Sequence, residues 1–466
     1  MLGTSIGADS ARLKNTHAKL LETVGILTQK IATEKKPEKI LSIITKEIHS
    51  KYFLRYNEYA DFNDVVNKGT YSSISGIALY AWLLKELNIA YTFGFSMGQN
   101  TLQVNLGKSN FSLGCVKDIY ANPIHSKEFI GVFLGNLLDI ELIEKQEIYY
   151  KSTDEVFKDW YYRSIPQNIR ELISQVYLNK AINLIQYGQN KQAAIQLEKA
   201  YALWPILINE GLLIRSIRNA LNSTPPDKEE YVNLLIKLTR SRNWGETPET
   251  ITQRFELISK NVLIDGGDSS IYQQSYKKLI VSVSDNVLIH LIDREYNFSM
   301  GFYHKMHNNP IKSLPYFAQA LRLDPSNERI IELTAQTYYE FEINATSFKP
   351  YEKSFSEHIL KFPDLASIKA MIEVNYHLLL SRSYEELANG APDEGLKYLQ
   401  RFETIYNIKE KNYYVESKLS KVYNAYCLWL YKKGKIKQAL QIAKKGLDFL
   451  PEDYDLKKKK KHLESL

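Results

Sequence analysis

The feature that most constrains this chain is a spacing that recurs three times between residues 177 and 451. In ISQVYLNKAINLIQYGQNKQAAIQLEKAYALWP, two stretches of helical periodicity are punctuated by Tyr177, Ala181, Gly188, Ala193, Leu197, Ala200 and Pro205. The small residues Ala181, Ala193 and Ala200 let two antiparallel helices approach closely. Pro205 cannot continue the second helix, so it fixes the turn to whatever follows. The same frame returns in MGFYHKMHNNPIKSLPYFAQALRLDP at Gly301, Phe317, Ala320 and Pro325, and in VYNAYCLWLYKKGKIKQALQIAKKGLDFLP at Tyr423, Gly434, Ala439 and Pro451. Weaker pairs fit residues 331–362 and 376–406, the latter with Gly390 at the turn and Leu399 at a packing position. Residues 209–294 add four helical segments without the signature, broken by the loops Ser223-Thr224-Pro225-Pro226 and Asp265-Gly266-Gly267-Asp268. A helical pair of this kind buries its apolar faces only against its neighbours, so the expectation is one stacked helical solenoid.

The first part of the chain reads differently. Residues 11–33 and 38–59 predict two amphipathic helices, the second with Ile40, Ile43, Ile44, Ile48, Tyr52 and Phe53 at helical spacing. From Lys68 to Cys115 the order is a tight turn at Gly69, one apolar helix, strands at 91–95 and 102–106, a hairpin loop Gly107-Lys108-Ser109-Asn110, and a strand at 111–116. Residues 129–150 and 153–162 predict two more helices that stop before Pro166.

The residues of the 68–115 stretch resemble the nucleophile helix and following strands of bacterial transglutaminase-like domains, relatives of the papain-type thiol enzymes, in the subgroup with tetratricopeptide (TPR) repeats downstream. Gly69, Tyr71, Ala78, Leu79, Tyr80, Leu87 and Ile89 stand at scaffold positions of that pattern, and the 177–205, 301–325 and 423–451 frames match the TPR unit of about 34 residues. The resemblance implies a mostly α protein, with an N-terminal α+β transglutaminase-like domain followed by an α-helical TPR solenoid. Its catalytic positions are degenerate: Ser73 stands at the Cys position, Asn100 at the His position and Ser112 at the acid position. The expected segments are 1–10, a tail or signal-peptide remnant; 11–128, the transglutaminase-like domain; 129–168, a helical bridge; 169–456, the solenoid; and 457–466, a basic tail.

Those three departures decide the functional expectation. A thiol with a pKa near ~8.5 is drawn into its nucleophilic thiolate by a helix N-terminus and a neighbouring imidazolium. A serine hydroxyl must hand its proton to a base as it attacks, and neither Asn100 nor Ser112 accepts one near neutral pH. The expectation is a pseudoenzyme that works as a scaffold, binding a protein or peptide on the concave face of its solenoid without any cofactor. The alternative is a thiol or serine hydrolase, or an amide-transferring enzyme, that uses Ser73 or Cys115 with an unrecognised base. Ser72 and Ser73 also suit a helix N-cap.

Other residues carry weaker signals. Cys115 and His125 form a conceivable dyad, but a buried inert thiol and a separate His is the plainer account. Cys427 falls at a small-residue packing position, and two cysteines imply no disulfide framework. His304 and His307 lie three apart without the further ligands a metal needs. Asp265 to Asp268 is too short for a calcium loop of about 12 residues. The net charge of +7 is spread along the chain apart from Lys457 to Lys461, where a solvated tail closing the last repeat is expected in place of a nucleic-acid site. Apolar residues make up 44%, enough for large cores, but residues 77–95 are interrupted by Lys85 and Glu86, so no membrane span is expected. The start, MLGTSIGADS, reads either as the tail of an export signal or as a short cytoplasmic tail, which leaves the compartment open.

Overall fold

A computed structural model describes residues 10–96, 99–115, 125–163, 165–239, 246–344, 347–361, 363–406 and 412–466. The expected leader residues 1–9 and the end of the 111–116 strand, Val116, lie outside the described residues. The chain divides into two compact units, Met1–Glu246 and Thr247–Leu466.

The first unit opens with α1 (Ser10–Ile31) and α2 (Pro37–Lys51), joined across their interface by the buried Thr23 Oγ1–Tyr52 Oη hydrogen bond of 2.5 Å. Helix α2 stops eight residues short of the expected Tyr59. Tyr52 and Phe53 turn into the core, and Arg55–Tyr56 (β1) pairs in parallel with Thr70–Tyr71 (β2) across α3 (Phe62–Lys68). Gly69 closes α3 in the left-handed conformation at φ +65°, where a side chain would collide with Leu54. Helix α4 (Ser73–Glu86) then runs through the core with eleven of its residues buried. It is apolar on all sides, as a helix enclosed by its own domain must be. Strands β3 (Ala90–Ser96), β4 (Gln99–Leu106) and β5 (Ser109–Leu113) form an antiparallel sheet beside it, turning between β4 and β5 at Gly107, φ +62°.

The expected 129–150 helix is two: α5 (Lys127–Asp139) and α6 (Lys145–Tyr150), separated where Glu141 takes φ +58°. Helices α7 (Thr153–Tyr161), α8 (Ile169–Gln186), α9 (Asn190–Leu203), α10 (Leu207–Ser223) and α11 (Glu229–Leu238) complete the unit. One apolar core runs from Leu20 through α4 and α5 to Leu212, so the expected boundaries at 128/129 and 168/169 fall inside a single core. Lys180 of α8 also pairs with Asp61, the buried cap of α3, at 3.2 Å.

The second unit is helical throughout its described residues. Helix α12 (Pro248–Ile258) continues into a π-helical turn at Ser259–Ile264. It is followed by α13 (Ser269–Ser282), α14 (Asn286–Met306), α15 (Pro310–Leu323), α16 (Glu328–Asn344) and α17 (Lys349–Lys361). A 3₁₀ turn at Pro363–Ser367 leads to α18 (Lys369–Ala388), α19 (Pro392–Ile405), α20 (Tyr413–Lys432), α21 (Ile436–Phe449) and α22 (Tyr454–Glu464). Residues 457–466, expected as a solvated tail, largely belong to α22. Leu456 and Leu463 lie two turns apart on one face and are buried, and Asp453 caps the start.

Four hairpins, α8–α9, α14–α15, α18–α19 and α20–α21, share one register. Each turns on a left-handed residue: Gly188, Asn308, Gly390 and Gly434. Seven residues before the turn stand Ala181, Gly301, Ser383 and Cys427, all buried; five after it stand Ala193, Ser313, Gly395 and Ala439. These positions touch where the structure records contacts. Ser313 Oγ donates to the Gly301 carbonyl at 2.7 Å and the Cys427 thiol to the Ala439 carbonyl at 3.6 Å, while a Cβ on Gly395 would lie 2.7 Å from the Ser383 carbonyl oxygen. A Cβ on Gly301 would meet the Phe317 ring at 2.7 Å. Each second helix spans 14 residues, and Pro205, Pro325 and Pro451 follow α9, α15 and α21 as predicted.

Candidate functional site

The start of α4 is where the sequence places its degenerate chemistry. Ser72 is the N-cap: its Oγ accepts the Ser75 N–H at 3.1 Å, and the Ser75 Oγ accepts the Ser72 N–H at 2.9 Å. The two hydroxyls bond each other at 2.8 Å, so the serine pair is spent on closing the helix. Ser73 is the first helical residue, buried, with Tyr56 hydrogen-bonded to it. Its carbonyl accepts the Cys115 thiol at 3.1 Å, and the Ser72 carbonyl lies 3.8 Å from the same sulphur. Cys115 is fully enclosed against Gly76, whose missing side chain makes room for it: a Cβ there would lie 2.9 Å from the cysteine Cβ. Burial pushes the Cys115 thiol up to about 12, far from the thiolate range.

Sheet register separates the other two positions. Leu102 pairs with Leu113 and Gln103 with Ser112, so Asn100 projects with Leu102 and Val104 while Ser112 projects with Gln103 from the opposite face. Ser112 is exposed and accepts the Gln103 amide at 3.1 Å. Asn100 is buried and donates to Gln175 Oε1 of α8 at 3.0 Å. Ser73, Asn100 and Ser112 therefore do not converge as a triad. His125 is buried 4.8 Å from the Phe129 ring, with Nε2 3.1 Å from Tyr162 Oη, and burial lowers its pKa to about 3. Its recorded contacts are with Phe129, Phe157, Tyr161 and Tyr162, whereas those of Cys115 are with the α4 terminus.

The remaining sequence candidates are placed as follows. His307 lies 2.8 Å from the Tyr303 carbonyl through Nδ1, and His304 stacks on Tyr316. Among the described residues no three His, Cys, Asp or Glu side chains are grouped to hold a metal ion. Gly267 takes φ +69° and Asp268 caps α13, so Asp265 to Asp268 is a turn. No described helix is long and apolar enough to cross a membrane.

A hollow of about 910 Å³ lies in the second unit, across the faces of α16, α18 and α20. Tyr339 and His377 meet edge to face at 5.3 Å on one side, and Lys418 lies 5.9 Å over the Phe348 ring. Tyr384, Tyr413 and Tyr414 rise from it at 51%, 79% and 75% exposure, an unusual amount of open aromatic surface. Lys418 and Lys421 are the lysines of the lining, and no carboxylate lines it among the described residues. Lys421 is exposed and has no acidic partner there. This site was not foreseen. Its signal was the face of α20 traced by Tyr414, Lys418, Lys421 and Ala425, at the three- and four-residue steps of one helix side.

No family model matches the chain, and no curated protein matches it. Among solved structures it is similar to the crystallised TPR domain of P58(IPK), at 14% identity over 72% of this chain and 87% of that one, with a TM-score of 0.21. So loose a superposition carries no argument, and the helical-hairpin architecture rests on the shared register of turns and crossings.

Proposed function

We propose that the second unit is a binding scaffold that holds an extended segment of a partner protein across α16, α18 and α20. The observation that carries this reading is the composition of the 910 Å³ hollow, which has aromatic walls, lysines and no lining carboxylate among the described residues. Such a groove favours a segment with one or two apolar anchors beside acidic side chains. It draws on α18 and α20, the first helices of the last two hairpins, together with α16, and curved stacks of helical hairpins offer extended binding surfaces. On this reading the first unit is a transglutaminase-like framework that performs no chemistry. Supporting that, the Ser72–Ser75 pair caps the helix, Cys115 donates its proton to a backbone carbonyl, and Asn100 is held by Gln175.

The test is a selection of displayed random peptides against the whole chain, followed by titration of the selected peptides. Enriched sequences are expected to share acidic residues flanking an aromatic or aliphatic one. The double variant K418A/K421A, folded by circular dichroism, should bind them about tenfold more weakly. Equal binding by that variant overturns the assignment. Labelling of Ser73 or Cys115 in the native chain by a serine- or thiol-directed activity probe overturns the non-catalytic reading of the first unit.

A further inference from the structure

A second hollow, about 300 Å³, lies wholly within the first unit, between the middle of α5, the end of α7, the middle of α8 and the connection from α9 to α10. Its walls include Trp160, Tyr161 and Trp204, with Arg163, Gln175 and Asn209 as polar members. The volume sits at the lower end of the roughly 300–1,000 Å³ typical of small-molecule pockets, and the pattern of apolar walls with few polar groups is theirs.

Arg163 gives the hollow its chemistry. Its guanidinium lies 4.7 Å over the Trp160 ring, and the indole N–H is tied to Glu147 Oε1 at 3.4 Å, which fixes the ring beneath the cation. Among the described residues no carboxylate lies within ion-pair distance of Arg163, and its side chain makes no hydrogen bond there. A guanidinium held flat on a ring keeps its edge donors directed outward, in the fork geometry that matches a carboxylate. Asn209 is a further polar member of the lining. Its amide N–H groups donate to Ser174 Oγ at 3.0 Å and to the Trp204 carbonyl at 2.9 Å, while its Oδ1 is buried without a partner.

We infer that this hollow binds a small aromatic carboxylic acid, its carboxylate on Arg163 and its ring among Trp160, Tyr161 and Trp204. The site is independent of the groove in the second unit. It uses none of the residues to which the sequence assigns catalytic positions.

The experiment uses the full chain, titrated by calorimetry and ligand-observed NMR with 3-phenylpropionate and with its neutral analogue 3-phenylpropionamide. The acid is expected to bind and the amide to bind at least about tenfold more weakly. The variant R163Q, with unchanged circular dichroism, should weaken the acid about tenfold and leave the amide as it was, so that the preference for charge disappears. Three results overturn the assignment: no binding of the acid at about 5 mM, equal affinity for acid and amide, or an undiminished affinity for the acid in R163Q. The last would place an acid seen to bind elsewhere on the chain.

Discussion

Glu295 places a titration near neutral pH inside the second unit. The residue lies on α14, accepts the Ser299 hydroxyl at 2.6 Å, and sits near Ser259, in the π-helical turn where Tyr272 Oη bonds Ser259 Oγ at 2.8 Å. Burial lifts its carboxyl from an ordinary 4.5 to about 7. The Ser299 hydroxyl opposes the rise, the charge of Glu256 adds to it, and Ser259 and Arg294 pull the other way. Arg294 is engaged at 3.0 Å with Asp324, which limits what it can offer. Because the fold holds this proton more tightly than the unfolded chain does, the full stability is present below the unfolded value and is lost as pH rises through about 7. At about 1.4 kcal/mol per pH unit, the interval amounts to about 3 kcal/mol. The side chain is only part-buried, and screening by solvent reduces this to about 2 kcal/mol. Glutamine in its place keeps the shape and the acceptor for Ser299 but never ionises. E295Q and the parent should therefore unfold together in urea below about pH 4, under the unfolded value of 4.5, and E295Q should be the more stable by about 2 kcal/mol near pH 8.5. Pulse proteolysis of the second unit reads this directly. A constant difference across that range, or a parent that gains on E295Q as pH rises, refutes the reasoning.

Three further outcomes follow from particular contacts. Arg382 is 4% exposed and pairs with Glu352, Glu385 and Glu386 at 3.1, 2.5 and 2.7 Å, so R382M removes the cation these three carboxylates share, leaving Glu352 to Arg401 and Tyr398 and Glu385 to Ser347 and the Phe348 N–H; it should cost about 2–4 kcal/mol in denaturant unfolding, and a loss under about 1 kcal/mol would contradict the network. G395A drives a methyl to 2.0 Å from Tyr426 Oη and 2.7 Å from the Ser383 carbonyl, so it should lower stability by about 1–3 kcal/mol in the same assay, with Y426F/G395A recovering part of it. Cys115 and Cys427 are both buried, and burial raises both thiols, so Ellman's reagent should titrate neither quickly in the native chain and two thiols in strong denaturant. Rapid native modification of Cys115 would mean that the α4 terminus opens.

What could be read before the structure was local in origin. Turn residues such as Gly188, Gly390 and Gly434 announce a backbone that other residues adopt poorly, and Ser72 announces a helix start through its own hydroxyl. The strands at Tyr91, Leu102 and Phe111 follow from short apolar alternation. What escaped was set at a distance. Whether Asn100 and Ser112 share a face depends on the pairing Gln103–Ser112, and shifting that pairing by one residue would reverse the answer. The break at Glu141 and the early end of α2 follow from where Tyr52, Phe53 and Ile143 bury themselves, which no local propensity dictates. In α22, Leu456 and Leu463 are masked by five intervening lysines. The groove draws on α16, α18 and α20, segments well separated in sequence, so only the α20 stripe of Tyr414, Lys418 and Lys421 was there to be seen.

The uniform second helix of the hairpins has a mechanical corollary. With 14 residues after the turn in every case and 18, 21, 20 and 20 in α8, α14, α18 and α20, variation in length is collected at one extremity, the beginning of each first helix. The crossing of the two helices acts as a pinned joint whose distance from the bend is constant. Lengthening the chain by a residue at the outer extremity leaves that joint untouched, whereas one extra residue inside α20 between Cys427 and Lys432 turns Cys427 by about 100° relative to the bend and takes it out of register with Ala439.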